Sequence, residues 1–132
     1  MDKSKGQIEA EISEALIKFE KEYMGRGPDE TKTYFLEDIV VARLQRVLTL
    51  AEKQLAKADE STKGRELVKQ VRTELLEKAR PLLEKAIFDI TGRKVISLHT
   101  DISTVTGERI IVFTLESSLL DGNAQPEKTG EK

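Results

Sequence analysis

The chain has no cysteine, no tryptophan and a single histidine, His99, in 132 residues. Without cysteine there are no disulfides, no thiolate chemistry and no sulfur ligands for zinc or iron–sulfur centres. With one histidine, a zinc site would have to be completed by carboxylates, a set that suits Mg2+ or Ca2+ better. No EF-hand loop or paired-carboxylate motif is present, so no metal and no cofactor is expected. Aromatic residues make up only 5% of the chain, so the core must be aliphatic. Apolar runs are short. None nears the roughly 20 residues of a membrane span, and direct membrane insertion is not expected. The opening residues, MDKSKGQIEAEI, carry no signal-peptide apolar region. The formal net charge is −2, which gives no bulk attraction to nucleic acid. The expectation is a cytoplasmic domain with no nucleic-acid partner.

What is present is a clear alternation of periodicities. Ile8, Ile12, Ala15, Leu16, Phe19 and Tyr23 recur at helical spacing, which predicts a helix over about 7–23, stopped by the glycines of Gly25-Arg26-Gly27-Pro28. That glycine pair follows a helix and lacks the lysine of a phosphate loop, so it reads as a turn. Lys32 to Val47 is rich in β-branched and aromatic residues and predicts a hairpin, with strands near 32–37 and 39–47. Glu37-Asp38 makes an unusual turn for it. Val40, Ala42 and Leu44 share one face of the second strand; Ile39, Val41, Arg43 and Gln45 share the other. Tyr34 and Phe35 read as core and edge residues.

Thr49-Leu50-Ala51-Glu52 is a capping-box pattern and opens a short helix to about residue 58. A long helix follows over about 63–91, with the stripe Leu67, Val71, Leu75, Ala79, Leu82, Leu83, Ala86 and Ile90. Pro81 predicts a kink or restart inside it, and Gly92 a C-terminal cap. Arg43, Arg46, Arg65, Arg72 and Arg80 are interleaved with Glu52, Glu66, Glu74 and Glu77, which reads as a solvated, salt-bridged face. Lys94 to Leu115 forms a second hairpin around Thr106-Gly107-Glu108. The predicted fold is α+β: one domain over 1–116, a two-layer sandwich in which a four-stranded antiparallel sheet from two hairpins packs against helices. Residues 117–132 read as a polar, disordered tail.

Three segments together resemble the MpsC-like family of small bacterial proteins, whose name refers to a sodium-translocating, membrane-potential-generating system. They are the GRGP loop, RLQRVLTLAEKQLA at 43–56, and ITGRKVISLHTDISTVTGERIIVFTL at 90–115. The resemblance covers about residues 5–116, and TGRKVISLHTDIS followed by TGERIIVFTL is its specific part. It implies a partner in a membrane ion-transport or energy-coupling system. It implies no established reaction and supplies no catalytic residues.

The groups able to do chemistry gather on the polar face of the third strand. Alternation puts Ile96, Leu98 and Ile102 on the core side and Ser97, His99, Asp101 and Ser103 on the other. His99 and Asp101 lie about 6.6 Å apart along the strand and point in parallel, which is not the convergence a Ser–His–Asp triad needs. Two functional expectations follow. The first is a non-enzymatic accessory or regulatory domain acting through protein contacts. The second is a small-ligand sensor or weak enzyme using Arg43, Ser97, His99, Asp101 and Ser103. They differ in whether those residues converge in a pocket or lie on a flat face. The expected packing sets Leu67, Val71, Leu75, Leu83 and Ile90 on the sheet face carrying Val40, Ile96, Leu98 and Val112. The last strand is apolar on both faces, so a homodimer is expected to cover the second one; the alternative cover is the N-terminal helix.

Overall fold

A computed structural model describes residues 3–57 and 63–119. Three α-helices and four strands form two layers: α1 (Lys5–Phe19), β1 (Glu30–Leu36), β2 (Ile39–Gln45), α2 (Leu50–Ala56), α3 (Lys63–Thr91), β3 (Val95–Ile102) and β4 (Arg109–Leu115). The sheet order is β1-β2-β4-β3, and every neighbouring pair is antiparallel. The α+β architecture expected from the sequence is the observed one.

Local chemistry explains where elements begin and turn. Ser4 caps α1 through a capping box with Gln7, and Thr49 caps α2 through one with Glu52; each satisfies backbone donors that a helix start leaves unpaired. The Glu37-Asp38 turn is a tight two-residue hairpin, with Glu37 at φ 58 and Leu36 opposite Ile39. The chain after β4 braces it: the Leu115 N–H donates to the Asp38 carbonyl at 2.7 Å. The first helix continues past Phe19 as a π-helical turn, Glu20–Met24. Gly25, at φ 92, ends it. The long helix runs through Pro81 as a single element rather than restarting, and Gly92 caps it at φ 74.

The core lies between the helices and one sheet face. Ile12, Leu16 and Phe19 of α1 meet Phe35, Val40, Ala42, Leu44, Ile111, Phe113 and Leu115 of the sheet. Each large aliphatic side chain buried this way contributes roughly 1.5–3 kcal/mol against full exposure. Two expected phases are corrected. The buried face of α3 is Val68, Arg72, Leu76, Ala79, Leu83 and Ile87, while Leu67, Val71 and Leu82 are exposed. The core stripe includes an arginine, and reading Arg72 as solvated moved the apparent stripe by one residue. On the sheet, Ile111, Phe113 and Leu115 point inward and Val112 does not. A register shift between Val95 and Ser97 turns Ile96 out to 63% exposure; an extra residue in one strand reverses the alternation before it. Val40 and Leu98 pack with the core as expected.

The N-terminal helix lies on the same side of the sheet as α3. Ser13 Oγ is 2.8 Å from Thr33 Oγ1, and Thr33 is buried on the core side of β1. The opposite sheet face therefore carries no helix among the described residues, and the alternative cover by α1 is overturned. Of the predicted tail, Leu119 packs against the core; residues 120–132 lie outside the described residues.

Candidate functional site

Pairing registers place every outward-facing side chain of the sheet on a grid. One row across β1, β2, β4 and β3 is Leu36, Ile39, Thr114 and Ser97; the next is Tyr34, Val41, Val112 and His99; the third is Lys32, Arg43, Ile110 and Asp101. Tyr34 is 47% exposed and Leu36 63%; Ile39, Val41, Ile110 and Val112 are half-buried. The face is thus an apolar strip with a charged third row.

Of the candidate residues from the sequence, Arg43, Ser97, His99 and Asp101 lie on this face but do not converge. Arg43 and Asp101 both oppose Ile110, so they stand two strands apart, about 10 Å between backbones. Each already has another partner. Arg43 Nε donates to Glu108 Oε2 at 2.5 Å, and that bond raises the guanidinium's proton affinity. Asp101 accepts from the Ile102 N–H at 2.8 Å and faces Lys69 Nζ at 3.2 Å; together they hold its carboxyl below the ordinary range. His99 is exposed opposite Val112. Ser97 is half-buried opposite Thr114. Ser103 has left the strand: its hydroxyl accepts from the Thr106 N–H at 3.2 Å and shapes the hairpin turn. Of the five, Asp101 alone lines a small cavity of about 20 Å³, which it shares with Lys69, Arg72 and Arg109 rather than with the other candidates.

A second constellation, which sequence reasoning missed, is interior. Arg72 is 1% exposed, Arg109 2% and Glu20 0%. Arg72 forks onto Glu52, donating from Nε to Oε2 at 2.8 Å and from Nη2 to Oε1 at 2.7 Å. It also donates to Glu20 Oε1 at 2.9 Å and to the Val47 carbonyl at 3.0 Å. Burial opposes Arg72's charge, but Glu52 and Glu20 outweigh it and raise its proton affinity. Glu52 is also desolvated; the Arg72 and Thr49 hydrogen bonds prevail and hold its carboxyl below the ordinary range. Arg109 sits 3.7 Å from Glu20 Oε2 and is destabilised in its charged form by burial. Its Nε and Nη1 have no hydrogen-bond partner among the described residues. The π-helical turn presents Glu20 to these arginines, and α2 presents Glu52, so four elements meet at one charge-balanced cluster. The signals available in the sequence were the apolar residues flanking Arg72 and Arg109 at core spacing. Both sit where the stripe demands a buried side chain.

No helix among the described residues is long and apolar enough to cross a membrane. The chain is similar to two proteins of Bacillus subtilis (strain 168). One is the uncharacterized protein YbcI, 44% identical over 119 residues, 90% of this chain and 94% of that one. The other is the uncharacterized protein YrhF, 28% identical over 113 residues, 83% of this chain and 88% of that one. No solved structure matches the chain significantly. The family model described as "Na+-translocating membrane potential-generating system (MpsC)" matches residues 4–117, nearly the whole described fold, and the chain belongs to that family.

Proposed function

We propose that this chain is a non-enzymatic accessory domain of a membrane ion-transport or energy-coupling system, and that it works as a homodimer joined through the outer sheet face. The observation that carries this reading is the uncovered apolar strip of Tyr34, Leu36, Ile39, Val41, Ile110 and Val112. A sheet face left to water is normally polar, and an apolar patch rimmed by charge marks a contact surface. The family description supports the link to a membrane system.

One of the two orientations matches the grid to itself better than the other. A two-fold axis parallel to the strands lays β1 over the second copy's β3 and β2 over its β4. Lys32 then faces Asp101, Tyr34 faces His99, Val41 faces Val112 and Arg43 faces Ile110, each across the interface. An axis perpendicular to the strands would instead set both cations on apolar groups, Lys32 against Leu36 and Arg43 against Ile39, where the first orientation leaves only Arg43 so placed and gives Lys32 an acid. Sheets packed face to face with nearly aligned strands are a common arrangement. The helices then face outward, with Leu67, Val71, Leu82 and Phe88 of α3 exposed for contacts with other proteins.

Light scattering at micromolar concentration is expected to give twice the chain's 14.9 kDa. Lys32→Asp or Asp101→Lys alone should yield monomers, and the double variant should restore the dimer. A monomeric wild type, or single variants that stay dimeric, overturns this pairing. Affinity capture from the native host tests the transport link separately. Membrane-transport subunits recovered with wild type but not with a Leu67→Lys/Val71→Lys bait support it, and recovery of none overturns it.

A further inference from the structure

Away from the sheet face, α2, the first turn of α3 and the tip of the second hairpin enclose a half-open cavity of about 410 Å³. The hairpin tip is fixed in place. Gly107 adopts φ 78 and lies so close to β2's end that a Cβ there would stand 3.3 Å from Arg46 Cα. Its carbonyl accepts from the Val47 N–H at 2.9 Å. The floor is aliphatic, made by Leu48 and Ala56, with Val105 at the rim. Val105 is 89% exposed, the most of any large apolar residue described.

The other wall is cationic: Arg46, Lys53, Lys57 and Arg65 line the cavity, and no described carboxylate does. Arg46 is engaged by Asp29 at 2.8 Å. Lys53, Lys57 and Arg65 make no ion pair among the described residues. This sets them apart from Arg26, Arg43, Arg72, Arg80 and Lys85, each of which faces an acid. Lys53 stands in the last turn of α2 and Lys57 is the residue that caps its C-terminus. Among the described residues no acid stands between them, and like charges gathered in this way repel one another.

We infer that this cavity binds an amphiphilic anion: a phosphate or carboxylate head held among Lys53, Lys57 and Arg65, with an aliphatic tail laid along Leu48, Ala56 and Val105. The size is that of an ordinary small-molecule site. A nucleotide fits poorly, because no aromatic side chain lines the cavity to stack a base and no described carboxylate or amide lines it to read a base edge. The inference does not depend on the outer sheet face or on dimerisation.

The probe is octyl phosphate below its micelle concentration, followed by calorimetry and thermal shift on the full chain. Saturable binding is expected, tighter than that of inorganic phosphate or of octyl glucoside, which supply the head or the tail alone. Lys53→Glu and Arg65→Glu should each weaken it about tenfold or more, since each removes a charge-assisted contact. Lys53→Arg should retain it. Val105→Asp should weaken octyl phosphate and leave inorganic phosphate unchanged. Circular dichroism of the exposed-site variants controls for folding. Co-sedimentation with phosphatidylglycerol vesicles then separates two sources of the same chemistry: binding competed by octyl phosphate assigns the head group to a membrane lipid, and its absence to a free amphiphile. Octyl phosphate that fails to saturate, or that binds the charge-reversed variants as well as wild type, overturns the site.

Discussion

Arg72 organises the interior through four hydrogen bonds to Glu52, Glu20 and the Val47 carbonyl. Removing one member of a buried ion cluster leaves the others desolvated and unpaired. Arg72→Ala should therefore cost about 3–5 kcal/mol by urea denaturation. Arg72→Met with Glu20→Gln should lose less than the sum of the two single changes, with a coupling of about 0.5–3 kcal/mol. Glu52 adds a pH dependence. Its folded-state affinity for a proton is lowered, so its contribution is fully present above the unfolded value of about 4.3. That contribution is lost as pH falls through the lower folded value. Stability measured between pH 7 and pH 3 should fall below about pH 5 in wild type, and the fall should be shallower in Glu52→Gln. A Glu52→Gln profile parallel to wild type would show that Glu52 gains nothing from the cluster. At the surface of the single chain, His99→Gln should change the stability of the monomeric fold by no more than about 0.5 kcal/mol, because His99 is exposed there.

At the scale of elements, the phase of α3 is directly testable. Leu76 is 1% exposed and Leu67 47%. Leu76→Ala should cost about 2–5 kcal/mol, whereas Leu67→Ala should lie nearer the surface value of about 0.5 kcal/mol. Equal losses would restore the stripe that the sequence suggested. The α2–α3 contact is set by Gly64, where an added Cβ would collide with the Leu55 carbonyl oxygen. Backbone cannot yield as a flexible side chain does, so Gly64→Ala should displace α2, lower the melting temperature and open the cavity that α2 walls. Hydrogen exchange in 50–56 would detect the displacement.

At the scale of the molecule, helices cover one sheet face and leave the other apolar strip bare. If a second copy covers it, folding and association are linked, and the melting temperature should rise with protein concentration. Val112→Glu should abolish that dependence while keeping the fold, since Val112 points away from the core. The same scale shows why parts of the site were illegible beforehand. Alternation along β2 placed Val41 and Arg43 on the outer face, where the structure has them. Along β3 it placed His99 and Asp101 together on the outer face correctly and Ile96 on the wrong one, because a register shift at one residue is invisible to a two-residue period. Distance across the sheet was also out of reach. Nothing in the order of the strands along the chain says that β4 lies between β2 and β3, and it is β4 that separates Arg43 from Asp101.

Local periodicity, capping residues and turn chemistry are properties of neighbouring residues, so the sequence alone determined the element order, the α+β class, the caps at Thr49 and Gly92 and the aliphatic character of the core. Which face of α3 is buried, which charges go inside with it and what the outer grid brings together depend on residues far apart in the chain. Arg72 could be called buried only once Glu20 and Glu52, 52 and 20 residues away, had been brought to it. The tertiary structure decided this, because desolvating a guanidinium is tolerable only where opposite charges meet it.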